Sequence, residues 1–294
     1  MGDKNHKISL AGDLGSGKST VGAILAEKLN LNKISIGTLQ RKMAAEMGMD
    51  TGAFNVYMET HPKFDKILDD KLKEYEKLSG NYLFDSRMAW HFACDSFKVF
   101  MHIDPAIAAR RVMADDRGEV EKYTDLDDAR RQLLARAMSE NTRYKRIYGA
   151  DNLDYRNFDL IVDSATITPE MLAELILDEF GKYSADPAAY SSPRLRLSPL
   201  AIYPTASEEE MAREEGDITV TVINGSHYLT GGGRALLDAI REKPATVAAR
   251  LADDAGKAEA EARISALGKN GAVILRGIGD KWGFEYPEIP EVYR

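Results

Sequence analysis

Short apolar runs alternate with stretches of helical spacing through the first 180 residues, a strand–helix rhythm. Residues 7–11 predict a first strand, and 21–29 a helix with Ile24, Leu25, Ala26 and Leu29 on one face. Residues 32–36 predict a second strand, followed by a helix to Met47 and a short helical piece over 51–59. Behind Pro62, the positions Phe64, Ile67, Leu68, Leu72, Tyr75 and Leu78 keep a helical period, and Gly80 stands just past the end. Strands follow at 81–84 and 97–103, and Asp104-Pro105 opens the next helix. Residues 114–128 are charged and irregular, 127–147 return to helix, 158–162 predict a fifth strand, and Thr168-Pro169 starts a helix through Phe180. Strands alternating with helices in this way predict an α/β fold with a parallel five-stranded sheet and right-handed crossovers.

The periodicity lapses over 181–193, which holds Ser184, Pro187, Ser191, Ser192 and Pro193. Residues 184–193 are therefore expected as a linker between a domain over 1–183 and a small α+β C-terminal domain over 194–294. In the latter, 195–202 alternates apolar and polar residues, and 207–215 reads as an acidic helix with a serine cap. Residues 218–223, the turn Asn224-Gly225 and the return His227-Tyr228-Leu229 predict a hairpin. Gly231-Gly232-Gly233-Arg234 then precede a helix over 235–241. Glycines at a helix start make Gly231 and Arg234 a candidate anion cradle, a flexible joint being the alternative. The Ala-rich stretch 245–267 predicts helix, 272–276 a last strand, and 282–293 an aromatic and proline tail lying on the surface.

Charge narrows the partners. The 294 residues carry a net charge of −8, which argues against a general nucleic-acid binder. No apolar run approaches the roughly 18 residues that span a bilayer, and the first strand arrives too early for a signal peptide. Cys94 is the only cysteine, which suits a reducing cytosol and a small buried side chain. A cytoplasmic protein with small-molecule partners, monomeric or homodimeric, is expected. The five histidines show no metal-ligand spacing.

The chemistry starts at Gly12-Asp13-Leu14-Gly15-Ser16-Gly17-Lys18-Ser19-Thr20, which fits G-x-x-x-x-G-K-[ST] between a strand and a helix. The fold expected is therefore a three-layer P-loop NTPase. Gly12, Gly15, Ser16, Gly17, Lys18, Ser19 and Thr20 are candidates for holding the phosphates of ATP, with Lys18 reaching the β- and γ-phosphates and Ser19 holding Mg²⁺. A P-loop alone leaves a GTPase, an ATPase and a small-molecule kinase open. Arginines favour the kinase. Arg41 follows the second strand, Arg87 the third, and Arg110, Arg111, Arg117, Arg130, Arg131, Arg136, Arg143 and Arg146 lie downstream. Guanidinium forks match phosphate oxygens bidentately. Arg41, Arg87 and Arg143 are read as phosphate ligands, whereas Arg130, Arg131 and Arg146 fit a solvated helix face.

Five segments resemble a known family. Beside the P-loop, the run from Ser35-Ile36-Gly37 to Arg41 is similar to the segment after the second strand in archaeal-type cytidylate kinases. Asp85-Ser86-Arg87-Met88-Ala89-Trp90 is similar to that family's E-G-R-L-A-G-W, and the run from Arg143 to Asp151 resembles its R-Y-x-x-I-Y-G-I-D. Residues 158–164 are similar to its Y-D-L-V-I-x-T. The resemblance implies phosphoryl transfer from ATP with Mg²⁺ to CMP or dCMP. Lys18, Arg87, Asp85 and Arg143 would be catalytic. Asp85 would act through metal-bound water or by orienting Arg87, a helix N-cap being its structural alternative. Ser35, Gly37, Arg41, Arg87 and Arg136 would hold the acceptor, and Arg117 would close on ATP. Asp85 replaces the family's Glu, and Arg136-Ala137-Met138-Ser139-Glu140 lacks the acid beside the lid arginine, which puts the acceptor in question. A P-loop kinase for another nucleotide or small acceptor, and a nucleotide-sensing module with little turnover, are the alternatives. Residues 194–252 faintly resemble the ParB-like fold, in which a strand leads into G-x-x-R at a helix start. Gly231 and Arg234 keep that spacing, with Gly232 and Gly233 where its acid and histidine stand.

Overall fold

The computed structural model describes residues 6–61, 63–114 and 123–293, with side chains at all of them except 51, 69, 72, 75 and 76. Its first strand, β1 (Lys7–Gly12), is buried at every position, as a strand with parallel neighbours on both sides must be. The chain continues through α1 (Lys18–Lys28), β2 (Asn32–Ser35), α2 (Ile36–Glu46), α3 (Thr51–Thr60) and α4 (Lys63–Glu76). Next come β3 (Tyr82–Asp85), the short α5 (Ala89–Phe92), β4 (Phe97–His102), α6 (Pro105–Ala114), α7 (Leu126–Tyr148), β5 (Leu160–Asp163) and α8 (Pro169–Ala185). These five strands pair in the order β2-β3-β1-β4-β5, all parallel. Parallel pairing brings Gly12, Ser35, Asp85, His102 and Asp163 to one edge, the edge where open α/β sheets bind ligands. The α/β fold with a parallel five-stranded sheet is as the sequence predicts.

Period-two alternation divides the sheet into two apolar faces. Ile8, Leu10, Val99, Met101, Leu160 and Val162 pack with Val21 and Leu25 of α1 and Leu172 and Ile176 of α8. Ala11, Phe100 and Ile161 turn to the other face, against Met88, Trp90, Tyr155 and Phe158. Each large side chain buried this way stabilises the fold by about 1.5–3 kcal/mol.

Beyond α8 the sheet continues. The elements are β6 (Arg194–Leu197), β7 (Ile202–Tyr203), α9 (Glu208–Met211), β8 (Thr219–Ile223), β9 (Ser226–Gly231), α10 (Gly233–Glu242), β10 (Val247–Leu251), α11 (Asp254–Leu267) and α12 (Asn270–Trp282). β6 pairs parallel with β5, β10 antiparallel with β6, and β8, β9 and β7 follow outward. Residues 184–193, expected as a linker, hold the end of α8 and a 3-10 turn over Pro187–Tyr190. Tyr190 there is 6% exposed and donates its hydroxyl to Glu179.

Two element types differ from the sequence expectation. Val247–Leu251 is a strand rather than part of an Ala-rich helix, because β6 offers an unpaired edge that outweighs the intrinsic preference of alanine. Residues 272–276 lie within α12, where Gly271, Leu275, Ile278 and Gly279 are buried at helical spacing and Val273 is exposed. The tail is not a surface strap. Tyr293 is buried among Tyr203, Tyr228, Ile264 and Leu275, and its hydroxyl donates to the Pro204 carbonyl. Cys94 is exposed, with its thiol donating to the His91 carbonyl at 3.3 Å. Among the described residues no helix is long and apolar enough to cross a membrane.

Candidate active site

The P-loop turns where β1 ends. Gly12 has φ +152°, and a Cβ there would lie 2.4 Å from the Met101 carbonyl oxygen, so only glycine lets the loop leave the sheet beside β4. Gly17, with φ +77°, caps α1 and offers no side-chain bond to its first turn. The first N–H groups of an α-helix lack partners within it, and the dipole there favours an anion. Gly15 lies against Ala108 of α6. Ser16 ties the loop to itself, its hydroxyl donating to the Asp13 carbonyl at 2.8 Å. Thr20 is exposed on α1.

Asp13 is fixed from below. Its Oδ2 accepts from the Ile103 N–H at 3.1 Å and from Nδ1 of the buried His102 at 3.0 Å. Burial alone would lower the His102 imidazole, but the Asp13 hydrogen bond and the charges of Asp13, Asp163 and Asp104 carry it above its ordinary value.

Lys18 opens α1 inside a cluster of charges. Burial pushes its ammonium down to about 8, Asp85 and Asp13 pull it back up, and Arg87 and Arg136 push it down again. Asp85, 5% exposed at the end of β3, lies 3.7 Å from the ammonium of Lys33. The Lys33 ammonium also donates to the Ser19 carbonyl at 2.9 Å, so a cation already bridges Ser19 and Asp85. Sequence reading missed Lys33; its one signal was a place two residues before Ser35 on the same strand.

On the other side stand the arginines. Arg136, Glu140 and Arg143 fall at i, i+4 and i+7 on α7, and so share one face. The 3% exposed carboxylate of Glu140 pairs with Arg87 and, at 3.2 Å, with Nε of Arg136. Asn55 of α3 donates to the same carboxylate at 3.5 Å, and Gln40 of α2 donates to Asn55 at 2.6 Å. Burial pushes the Arg87 guanidinium down to about 10, with Arg136 and Arg143 adding to the push; it remains charged at neutral pH. Arg143 is buried, 3.3 Å from Asp65 of α4, and donates to the Asn55 carbonyl at 3.4 Å. The structure thus brings Lys18, Asp85, Arg87 and Arg136 together, with Arg143 next to Arg87. Glu140, which the family pattern left without a role, is the hub. Asp65, Asn55 and Gln40 gave no sequence signal, because their partners lie up to 88 positions away.

Other expected residues lie at the rim or elsewhere. Ser35 caps α2, accepting from the Thr38 N–H, with Gly37 in that first turn. Arg41 is exposed, and its guanidinium donates to Thr38 Oγ1 at 3.1 Å. Arg117 lies outside the described residues. Gly231 ends β9, and Arg234, far from the P-loop in sequence, donates to the Ala212 carbonyl at 2.9 Å and pairs with Glu215. Gly232 and Gly233 are needed for packing: a Cβ on Gly232 would lie 2.3 Å from the Asp217 carbonyl oxygen, and one on Gly233 2.6 Å from Met211.

The chain has relatives. The AAA domain family model matches residues 8–135. A cytidylate kinase of Thermoplasma volcanium is 33% identical over 182 residues, taking in 60% of this chain and 93% of that protein. The chain belongs to the cytidylate kinase family. A second member, a cytidylate kinase of Archaeoglobus fulgidus, is 33% identical over 58% of this chain and 92% of its own. Among solved structures, a shikimate kinase of Bacteroides thetaiotaomicron aligns over 60% of the chain with a TM-score of 0.45 at 15% identity. Two fifths of this chain has no counterpart in the Thermoplasma volcanium protein.

Proposed function

We propose that the chain transfers the γ-phosphoryl group of ATP to the phosphate of CMP or dCMP. The observation that carries this reading is the joining of the P-loop lysine and the acceptor-side arginines in one cluster, in which Lys18 feels Asp85, Arg87, Asp13 and Arg136. An acceptor phosphate oxygen attacks the γ-phosphorus, the bond to the bridging oxygen breaks, and ADP leaves. Positioning and electrostatic stabilisation supply the catalysis. Lys18 and the loop N–H groups hold the transferring phosphate; Arg87 and Arg136 hold the acceptor phosphate, taking it in exchange for part of their contact with Glu140; and Arg143 braces α7 beside them. Arg41 at the rim reaches the acceptor nucleotide.

The donor set also fits Mg²⁺. Ser19 and Asp85 offer the hard oxygens that this ion prefers, and the buried Asp85 carboxylate already faces a cation, the Lys33 ammonium 3.7 Å away. Ser19 Oγ would hold the ion directly and Asp85 through water; bound there, it would neutralise charge on the phosphates. The deciding experiment is a coupled ADP-release assay over a panel of nucleoside monophosphates and small acceptors. ADP formation stimulated by CMP and dCMP alone supports the reading. ATP binding with no acceptor-stimulated turnover overturns it.

A further inference from the structure

The segment after α8 grips the strand ends beside the P-loop. The His102 ring, bonded to Asp13, lies against the ring of His227 on β9, with centroids 4.2 Å apart at 75°. His227 is 1% exposed, and among the described residues neither of its ring nitrogens finds a hydrogen-bond partner. It therefore acts as a wall rather than a donor, and burial with His102 close by keeps its imidazole well below the ordinary value and neutral. Asp104, on the far side of Ile103, accepts from Ser226 Oγ at 3.1 Å and from the Tyr203 hydroxyl at 3.2 Å. Asp163 accepts from the Ser198 N–H at 3.2 Å, and Thr166 donates to the Ala245 carbonyl at 3.2 Å. Residues on both sides of Ile103, whose N–H holds Asp13, are thus set by the C-terminal segment.

In-line transfer places acceptor and leaving group on opposite sides of the moving phosphorus. Arg87, which takes the acceptor phosphate, follows β3 on one side of β1, so the acceptor lies there. The other side of β1 holds the ends of β4 and β5, and in-line geometry sends the rest of the donor over them. Those ends are the ones walled by residues 198, 203, 226, 227 and 245. We propose that the C-terminal segment builds the donor side of the cleft, with His227 the positioning residue that holds His102, and through it Asp13 and the P-loop, in the geometry that binds ATP. This rests on the kinase reading above.

The test uses the full chain and the variants His227→Ala, His227→Phe and Ser226→Ala, with KM for ATP and for CMP measured separately. A loop shift of a fraction of an ångström is enough for His227→Ala to raise the KM for ATP about tenfold, with the KM for CMP within about twofold of wild type. His227→Phe keeps a ring at the same place and restores the KM for ATP. Ser226→Ala loses one hydrogen bond and raises it about threefold. A cooperatively melting His227→Ala with wild-type KM for ATP, or with both KM values raised alike, overturns the proposal. If that variant does not fold, an unchanged KM for ATP in Ser226→Ala overturns it. A wild type that makes no ADP with any acceptor contradicts the kinase reading instead. Calorimetric ATP affinities of wild type and Ser226→Ala then still decide the role of this segment, a loss of affinity supporting it and equal affinities overturning it.

Discussion

Glu140→Gln removes one charge and little shape from the centre of the site. The Glu140 side chain is 4% exposed and serves Arg87, Arg136 and Asn55 together. Glutamine keeps one acceptor oxygen but leaves two guanidiniums side by side, with Arg143 next to them, and no carboxylate between. Stripping one partner from a fully buried ion pair costs about 3–5 kcal/mol. The Arg87 and Arg136 side chains retain 19% and 20% exposure, so water takes up part of that load; about 2–3 kcal/mol is the reasonable loss. At about 2–4 °C per kcal/mol for a domain of this size, the melting temperature falls by about 4–12 °C. Added CMP supplies the missing negative charge, so its stabilising shift is larger in the variant than in the wild type. Scanning calorimetry with and without CMP reads both effects. A variant that melts within about 1 °C of wild type, or gains no more from CMP than wild type does, refutes the assignment of Glu140 as the hub.

Lys18→Ala costs phosphoryl transfer about 3–4 kcal/mol in kcat/KM, several hundredfold, because its charge meets the transferring group at a preorganised, half-buried position; steady-state ADP release measures it, and near-wild-type turnover would place the site elsewhere. Arg41→Ala raises the KM for CMP and leaves ATP affinity and the melting temperature unaltered, since Arg41 is exposed and bonded only to Thr38 among the described contacts. Lys18 gives the pH dependence its sign. Its ammonium, pushed down to about 8, is charged below that pH and loses its proton above it, so ATP binds the free protein more weakly as pH rises through about 8. Equal calorimetric affinities at pH 7 and 9 would contradict this.

The strand–helix rhythm made the five-stranded body legible, because its parallel strands are short apolar runs and its helices keep a helical period, one of them opening on Thr168-Pro169. The P-loop was equally plain, since its spacing is local. What stayed hidden was non-local. Arg87 meets Glu140 across 53 positions, and His102 meets His227 across 125, with nothing in either neighbourhood to announce the partner. The strand Val247–Leu251 was hidden for a related reason. Its alanines favour helix, and pairing with β6 on one side and β8 on the other, both far earlier in the chain, turns them into a strand. In α12 the run Val273-Ile274-Leu275 imitates a strand, while the burial that decides the matter is spaced by helical turns from Gly271 to Gly279.

Transfer of label from γ-radiolabelled ATP tests the central claim most directly. With the whole chain, Mg²⁺ and CMP, the account predicts label in the β-phosphate of CDP, formed several hundredfold more slowly with Lys18→Ala. Label released only as inorganic phosphate, or none moved while ATP is bound, would contradict it.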